Sequence, residues 1–244
     1  MGRPGATDMP ATTIATNRAA RDAILARVRS ALRKSTGERE PQSEADRYVA
    51  MHARGPQPAI AGDLVEAFVE RAVHMESTVE RIASRDAIPP AVARFLDALE
   101  LPAAIAEQKS HEGVCWPEFA DLDWRGAGLA IEARPTRGHD RLGVTGCLCA
   151  IAETGTLVFI PGPQMPTATT LLPDTHVVVV RASDVVATME DAFGRVRAAK
   201  RTMPRAINLI SGPSRTGDIE QTIVLGAHGP YRVHILLLAP PARR

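Results

Sequence analysis

The sequence predicts an α/β domain with a mostly parallel sheet and helices on both faces, preceded by an N-terminal helical arm. Two observations carry this expectation. From about residue 59 onward, short apolar runs of strand length alternate with amphipathic stretches of helix length, as strand–crossover–strand units require. The run His176–Val180 is continuously apolar after its histidine, the pattern of a strand covered on both faces. The chain has 244 residues, enough for one large domain. A domain of that length buries roughly 70% of the surface its unfolded chain exposes, so it needs no disulfide or metal to hold it.

Taken in order, residues 1–16 are small, polar and proline-containing and read as a disordered lead-in. They lack the apolar stretch of a signal peptide. Asn17 to Lys34 reads as an amphipathic helix: Ile24, Leu25, Val28 and Leu32 share a face, arginines fill the other, and Asn17 can cap the start. Gly37 stops it. A polar linker follows, and a second short helix is expected over Glu44–Met51. Residues 17–58 are therefore an arm with its linker, and 59–244 the α/β domain. Within that domain Asp63–His74 is a helix with Leu64, Phe68 and Val69 on one face. Thr78–Ile82 is a β-branched strand. Pro89–Leu99 is a helix with proline in its first turn. Ala103–Ala106 and Leu129–Glu132 are weak strands, and Thr156–Ile160 and His176–Val180 stronger ones. Ser183–Ala199 reads as a helix capped by Ser183 or Asp184. Ala206–Ile210 and Arg232–Leu238 close the pattern as buried strands.

Composition narrows the function. Lys plus Arg is 29 and Asp plus Glu 28, a formal net charge of +1, which gives no footprint for nucleic acid or an anionic membrane. Aromatic residues are 4% of the chain, too few for base-stacking platforms. No apolar run approaches the ~20 residues that cross a bilayer. The three cysteines are Cys115, Cys147 and Cys149. An odd, small number without a secretory signal points to free thiols in a reducing, cytoplasmic compartment. Cys147 and Cys149 form a C-x-C with no second pair nearby, so they read as packed residues and no metal site is expected. No G-x-G-x-x-G follows a strand, and no cofactor is expected.

Ligands of parallel α/β sheets lie beyond the carboxyl ends of strands, which directs attention to two segments. In the first, GVTGCLCAIAETGTLVFI, Glu153 stands among Ala152, Thr154 and Gly155 just before a strand. A partly desolvated carboxylate there would have a raised pKa, suited to a nucleophile or general base. The structural alternative is a glutamate bonded to a neighbouring loop. In the second, SGPSRTGDIE, Gly212 and Gly217 free the backbone, Ser211, Ser214 and Thr216 offer hydroxyls, and Arg215 offers a bidentate cation. If the following IEQTIVLG is helical, the loop presents N–H groups and a helix dipole to an anion. The alternative is a capping loop, with Thr216 or Asp218 as cap and Glu220 in the first turn. Asp174, His176 and His228 stand at strand entrances, where a lone histidine is more often structural. The two segments are expected at one edge of the sheet, facing one cleft that takes a small carboxylate or phosphate.

The runs AIAETGTLV, LLPDTHVVVV, INLISGPSRTGDIEQTIVLGAHGP and VHILLL, with the helix RDAILARVRSALR, together resemble the LUD-domain family of the lactate utilization protein C type. The resemblance covers most of the chain and is dense from Gly143 to Leu238, although Cys147 and Cys149 depart from the family pattern. It implies a fold like that of glucosamine-6-phosphate deaminase, ribose-5-phosphate isomerase and the CoA transferases. It implies a part in oxidising L-lactate to pyruvate beside iron–sulfur partner proteins. Without cysteine clusters of its own, this chain would be a non-redox component of such a system. CoA transferases place a glutamate in an E-N-G turn, which resembles Glu153-Thr154-Gly155. A stand-alone enzyme of the CoA-transferase or sugar-phosphate-isomerase kind is therefore the alternative, with a small-anion-binding module as a third.

Overall fold

The computed structural model describes residues 11–31, 40–60, 62–100, 111–199, 204–217 and 223–239. The chain divides into two compact units, residues 1–55 and 56–244. The first holds α1 (Ala11–Ala31) and α2 (Glu40–Met51). Helix α1 starts upstream of the expected Asn17 cap, so residues 11–16 are helical rather than lead-in. They contain no glycine or proline to interrupt a helix. Residues 1–10 lie outside the described residues. Helix α2 starts at Glu40, ahead of the expected Glu44, and Pro41 falls in its first turn, where proline removes no helical hydrogen bond.

The second unit is built on a six-stranded sheet in the order β1-β12-β7-β4-β2-β3. Its strands are β1 (Thr78–Ile82), β2 (Glu112–Cys115), β3 (Ala130–Ala133), β4 (Leu142–Gly146), β7 (Thr175–Arg181) and β12 (Arg232–Leu238). Every neighbouring pair is parallel. Helices α3 (Leu64–His74) and α4 (Ile88–Asp97) take opposite faces. Successive side chains of a strand point to opposite faces. On β1, Glu80 pairs with Arg94 of α4, while its neighbour Arg81 pairs with Glu66 of α3 at 2.7 Å.

A second sheet of four strands has the order β8-β5-β6-β9 and is mostly antiparallel. Its strands are β5 (Cys149–Ile151), β6 (Thr156–Phe159), β8 (Val185–Val186) and β9 (Asn208–Ile210). It faces the α3 side of the large sheet: the Phe159 ring of β6 lies 5.7 Å from that of His176 on β7. The remaining elements are α5 (Ala168–Leu171), α6 (Met189–Ala199) and the ribbon β10 (Arg215–Gly217) with β11 (Ile223–Leu225).

Three expectations need correction or relocation. The helix expected from Ser183 begins only at Met189. Val185 and Val186 leave the helical path to pair with Ala150 and Ile151. Thr188 and Asp191 then start α6 by reciprocal side-chain-to-backbone bonds of 3.3 and 3.4 Å, the capping-box arrangement. The helix-compatible segment after Gly217 contains a strand, because residues 223–225 pair antiparallel with 215–217. The expected strand Ala103–Ala106 lies outside the described residues.

Two histidines sit inside the large sheet. His176 bonds Thr145 Oγ1 at 2.8 Å, and His234 bonds Thr78 Oγ1 at 2.7 Å while its ring stacks on Phe95 at 3.9 Å. Burial pushes His176 down to about 3 and His234 to about 4. Both are neutral, structural imidazoles at physiological pH.

Candidate functional site

The last turn of α3 is the seat on which the two predicted segments meet. Asp63 caps this helix, accepting from the Val65 and Glu66 N–H groups at 2.7 and 3.1 Å. Phe68 and Ala72 are buried against the core. The helix ends with the Ser77 N–H reaching back to Ala72 O at 2.9 Å, the long-range bond of a Schellman ending. Such an ending needs a left-handed residue. Here it is Glu76, at φ 64°, where glycine is usual. A non-glycine residue in that region costs on the order of 1–3 kcal/mol.

Two glycines lie against this turn. Gly155, at φ 67°, closes the β5–β6 connection; a Cβ there would sit 2.6 Å from the Ala72 backbone nitrogen. Gly212, at φ 81°, follows β9, and its Cβ would meet Met75 O. Both the left-handed φ and the close approach exclude a side chain. The ETG turn and the SGP turn are thereby drawn together. Thr154 Oγ1 lies 2.7 Å from Thr156 Oγ1, which lies 2.6 Å from Ser211 Oγ. The three hydroxyls form one hydrogen-bonded chain.

The charged residues are disposed differently. Glu153 is half-buried, its N–H held by Ala187 O at 3.1 Å. It lines a cavity of about 210 Å³ with Ile60, Ala67, Glu70 and Arg71. None of residues 211–217 lines that cavity. Arg215 is ion-paired with Glu76. Ser214 acts on its own loop: its N–H donates to Pro230 O at 2.9 Å, and its hydroxyl accepts the His228 N–H at 3.2 Å. Thr216 pairs with Val224 in the ribbon. Among the described residues the loop therefore enters a ribbon, with Thr216 in a strand rather than at a helix start. Asp218 and Glu220 lie outside the described residues.

The other singled-out residues are structural in their surroundings. Asp174 accepts Arg141 at 2.7 Å, and His228 is exposed. Burial pushes Cys115 up to about 12 and Cys149 to about 11, and Cys147 is also raised. All three thiols are protonated at neutral pH, a poor state for ligating metal or for nucleophilic attack. Sequence reasoning missed Glu70 and Arg71 beside Glu153, and Glu76 as the partner of Arg215. The capped helix Asp63–His74 was visible, but the packing of its last turn under two distant loops is a non-local fact.

Among the described residues, no helix is long and apolar enough to cross a membrane. The LUD domain family matches residues 119–238. A lactate utilization protein C of Deinococcus radiodurans is 34% identical over 151 residues, covering 59% of this chain and 71% of that protein. A protein of the same name from Bacillus subtilis is 29% identical over 166 residues, covering 63% of this chain and 68% of the relative. The fold is similar to the crystal structure of a DUF162 family protein from Deinococcus radiodurans. That likeness has a TM-score of 0.53 at 21% identity and covers 74% of this chain and 99% of that one.

Proposed function

Because this chain belongs to the LUD-domain family, we propose that it is a cytoplasmic, non-redox component of an L-lactate utilization system, oxidising L-lactate to pyruvate together with iron–sulfur partner proteins. The observation that carries the reading is the 34% identity to a lactate utilization protein C across 71% of that relative. The cysteines support the non-redox part. An iron–sulfur cluster typically takes four ligands, chiefly thiolates. This sequence has three cysteines, each made harder to ionise by burial. Electrons from lactate would then pass to centres on the partner chains.

The small-molecule site of this reading is the α3 seat. Glu153 is its catalytic or proton-accepting carboxylate, opening on the cavity beside Arg71. Thr154, Gly155, Ser211, Gly212, Ser214, Arg215 and Thr216 are the side proposed to receive a small carboxylate or phosphate; Asp218, expected with them, lies outside the described residues. Arg215 must leave Glu76 to serve an anion, so ligand and Glu76 compete for one guanidinium. The alternative, a CoA-transferase-like use of Glu153, draws on the same observation: a carboxylate in a tight turn at the rim of a cavity.

The reading is tested by affinity purification of the tagged full-length chain from cells grown on L-lactate. Iron and acid-labile sulfide in co-purifying subunits, with none stoichiometric to this chain purified alone, is the expected result. A cluster on the isolated chain contradicts the non-redox role. Acyl transfer to Glu153, trapped from an acyl-CoA, would favour the alternative.

A further inference from the structure

Helices α1 and α2 lie outside the residues that the LUD-domain family matches, 119–238. Each helix has an apolar face, and neither face is covered. On α1, Ile24, Leu25 and Val28 share one side, being three and four residues apart. Ile24 is 60% and Val28 47% exposed. On α2, Tyr48, Val49 and Met51 fall within one turn and are 64, 67 and 68% exposed. The two helices therefore do not cover each other within one chain. Helix α2 has 12 residues. Isolated helices shorter than ~12–15 residues are marginal in water, and packing of the apolar face supplies most of the stability a protein helix has.

The borders of the two faces differ in sign. On α1, Arg27 follows Ile24 by three residues and Arg29 follows Leu25 by four, so a guanidinium stands on each side of the apolar stripe. Arg18 adds a third positive charge. Arg21 is already paired with Asp22, at 3.3 Å. Among the described residues, Arg18, Arg27 and Arg29 are paired with no carboxylate. On α2, Glu44 precedes Tyr48 by four residues and Asp46 precedes Val49 by three, so a carboxylate stands on each side of that stripe. Among the described residues, neither is paired with a cation.

A partner of one sign would suit one helix and leave the other bare. A second copy of the chain suits both. In a two-fold dimer every contact occurs twice. Setting α1 of one copy on α2 of the other covers all four apolar faces and brings arginines to carboxylates. Setting like helices together would place arginines against arginines and carboxylates against carboxylates, and juxtaposed like charges disfavour that pairing. We propose that the arm is a self-association surface, through which two copies of this chain pair with the basic-bordered α1 of each seated on the acidic-bordered α2 of the other. The inference is independent of the lactate reading and of the α3 seat.

The test is sedimentation equilibrium of the full-length chain and three variants, with thermal unfolding as a check on the fold. The unaltered chain is expected to reach the mass of two copies. Ile24→Glu with Val28→Glu should leave it a monomer with the main unfolding transition unchanged, since both side chains are exposed. Arg27→Glu with Arg29→Glu, and separately Glu44→Lys with Asp46→Lys, should each weaken the dimer at least about tenfold. Mixing these two charge-reversed proteins should restore it as a heterodimer, because each reversed helix then meets its complement. The proposal is overturned by an unaltered chain that stays monomeric at every concentration, by a dimer that survives the Ile24 and Val28 changes, or by a mixture that does not associate. Undiminished pairing of the Glu44→Lys, Asp46→Lys protein with itself would also overturn it, as α1 would then be pairing with α1. A monomeric chain that sediments with phosphatidylserine vesicles through α1 would replace the second copy with a membrane surface.

Discussion

In the six-stranded sheet, each face buries one threonine–histidine pair, Thr145 with His176 and Thr78 with His234. In each pair the second ring nitrogen is buried without a hydrogen-bond partner among the described residues. In the four-stranded sheet the polar chain is Thr154, Thr156 and Ser211. Its middle member, Thr156, is buried, and its two ends, Thr154 and Ser211, are half-buried beside two glycine turns. The large sheet uses polar side chains as internal ties, kept neutral by burial. The small sheet brings hydroxyls and a carboxylate out to a surface where a ligand can reach them. Burial of a polar group in this molecule therefore marks architecture, and partial exposure at a tight turn marks the place to look for chemistry.

The sharpest way to break that contrast is acid. His176 and His234 have folded-state pKa values of about 3 and about 4, lowered from 6.5 by burial. The unfolded chain binds these protons first, so their contribution is fully present above pH 6.5 and is lost as pH falls below it. Each unit of unmatched titration is worth about 1.4 kcal/mol per group. Between pH 7.5 and 4.5 the pair should remove about 5 kcal/mol of stability. Denaturant unfolding across that range checks it. His176→Asn with His234→Asn should flatten the curve, and a flat curve in the unaltered protein would contradict the burial argument.

Next in size is the seat itself. Gly212→Ala forces an unfavourable φ and drives a Cβ into Met75 O. The combined cost is about 3 kcal/mol or more, read as a drop in the unfolding midpoint. An equally stable variant would mean that the turn does not rest on α3 as described.

What the sequence made legible follows the same division. The β-branched and apolar runs Thr78–Ile82, Thr175–Arg181 and Arg232–Leu238 announce themselves, because buried parallel strands need such residues. Strands β2, β4 and β5 do not. Their sequences, EGVC, LGVTG and CAI, carry glycine and cysteine where strand propensity is weak. Gly143 and Gly146 are there for Thr169 O and Glu118 to approach, which only the folded chain reveals. In the site, the paired turns and their hydroxyls were readable from ETGT and SGPSR. The commitment of Arg215 to Glu76 and the ribbon after Gly217 were not, since both depend on partners distant in sequence or across a strand pair.

Smaller effects sharpen the comparison. Thr156→Val breaks the middle of the hydroxyl chain and should cost about 1 kcal/mol, while Ser211 and Thr154 lose their common partner. Arg215→Ala should change stability by no more than about 1 kcal/mol, as an exposed ion pair allows. It should weaken an anionic ligand at the α3 seat by about tenfold to a hundredfold. Glu76→Gly should do the reverse. It relieves the left-handed backbone, releases Arg215, and is expected to tighten anion binding at unchanged or slightly higher stability. Isothermal titration of the three proteins with L-lactate and with inorganic phosphate reads the effect. Equal binding by all three would leave Arg215 a structural residue only.

The most direct test of the functional account is growth on L-lactate as sole carbon source after deletion of the coding gene. Complementation then follows, with the unaltered gene and with Glu153→Gln. The account predicts that deletion abolishes growth on L-lactate but not on pyruvate. The unaltered gene should restore it, and Glu153→Gln should fail to do so although the protein is present and folded. A deletion strain that grows on L-lactate like its parent would contradict the account.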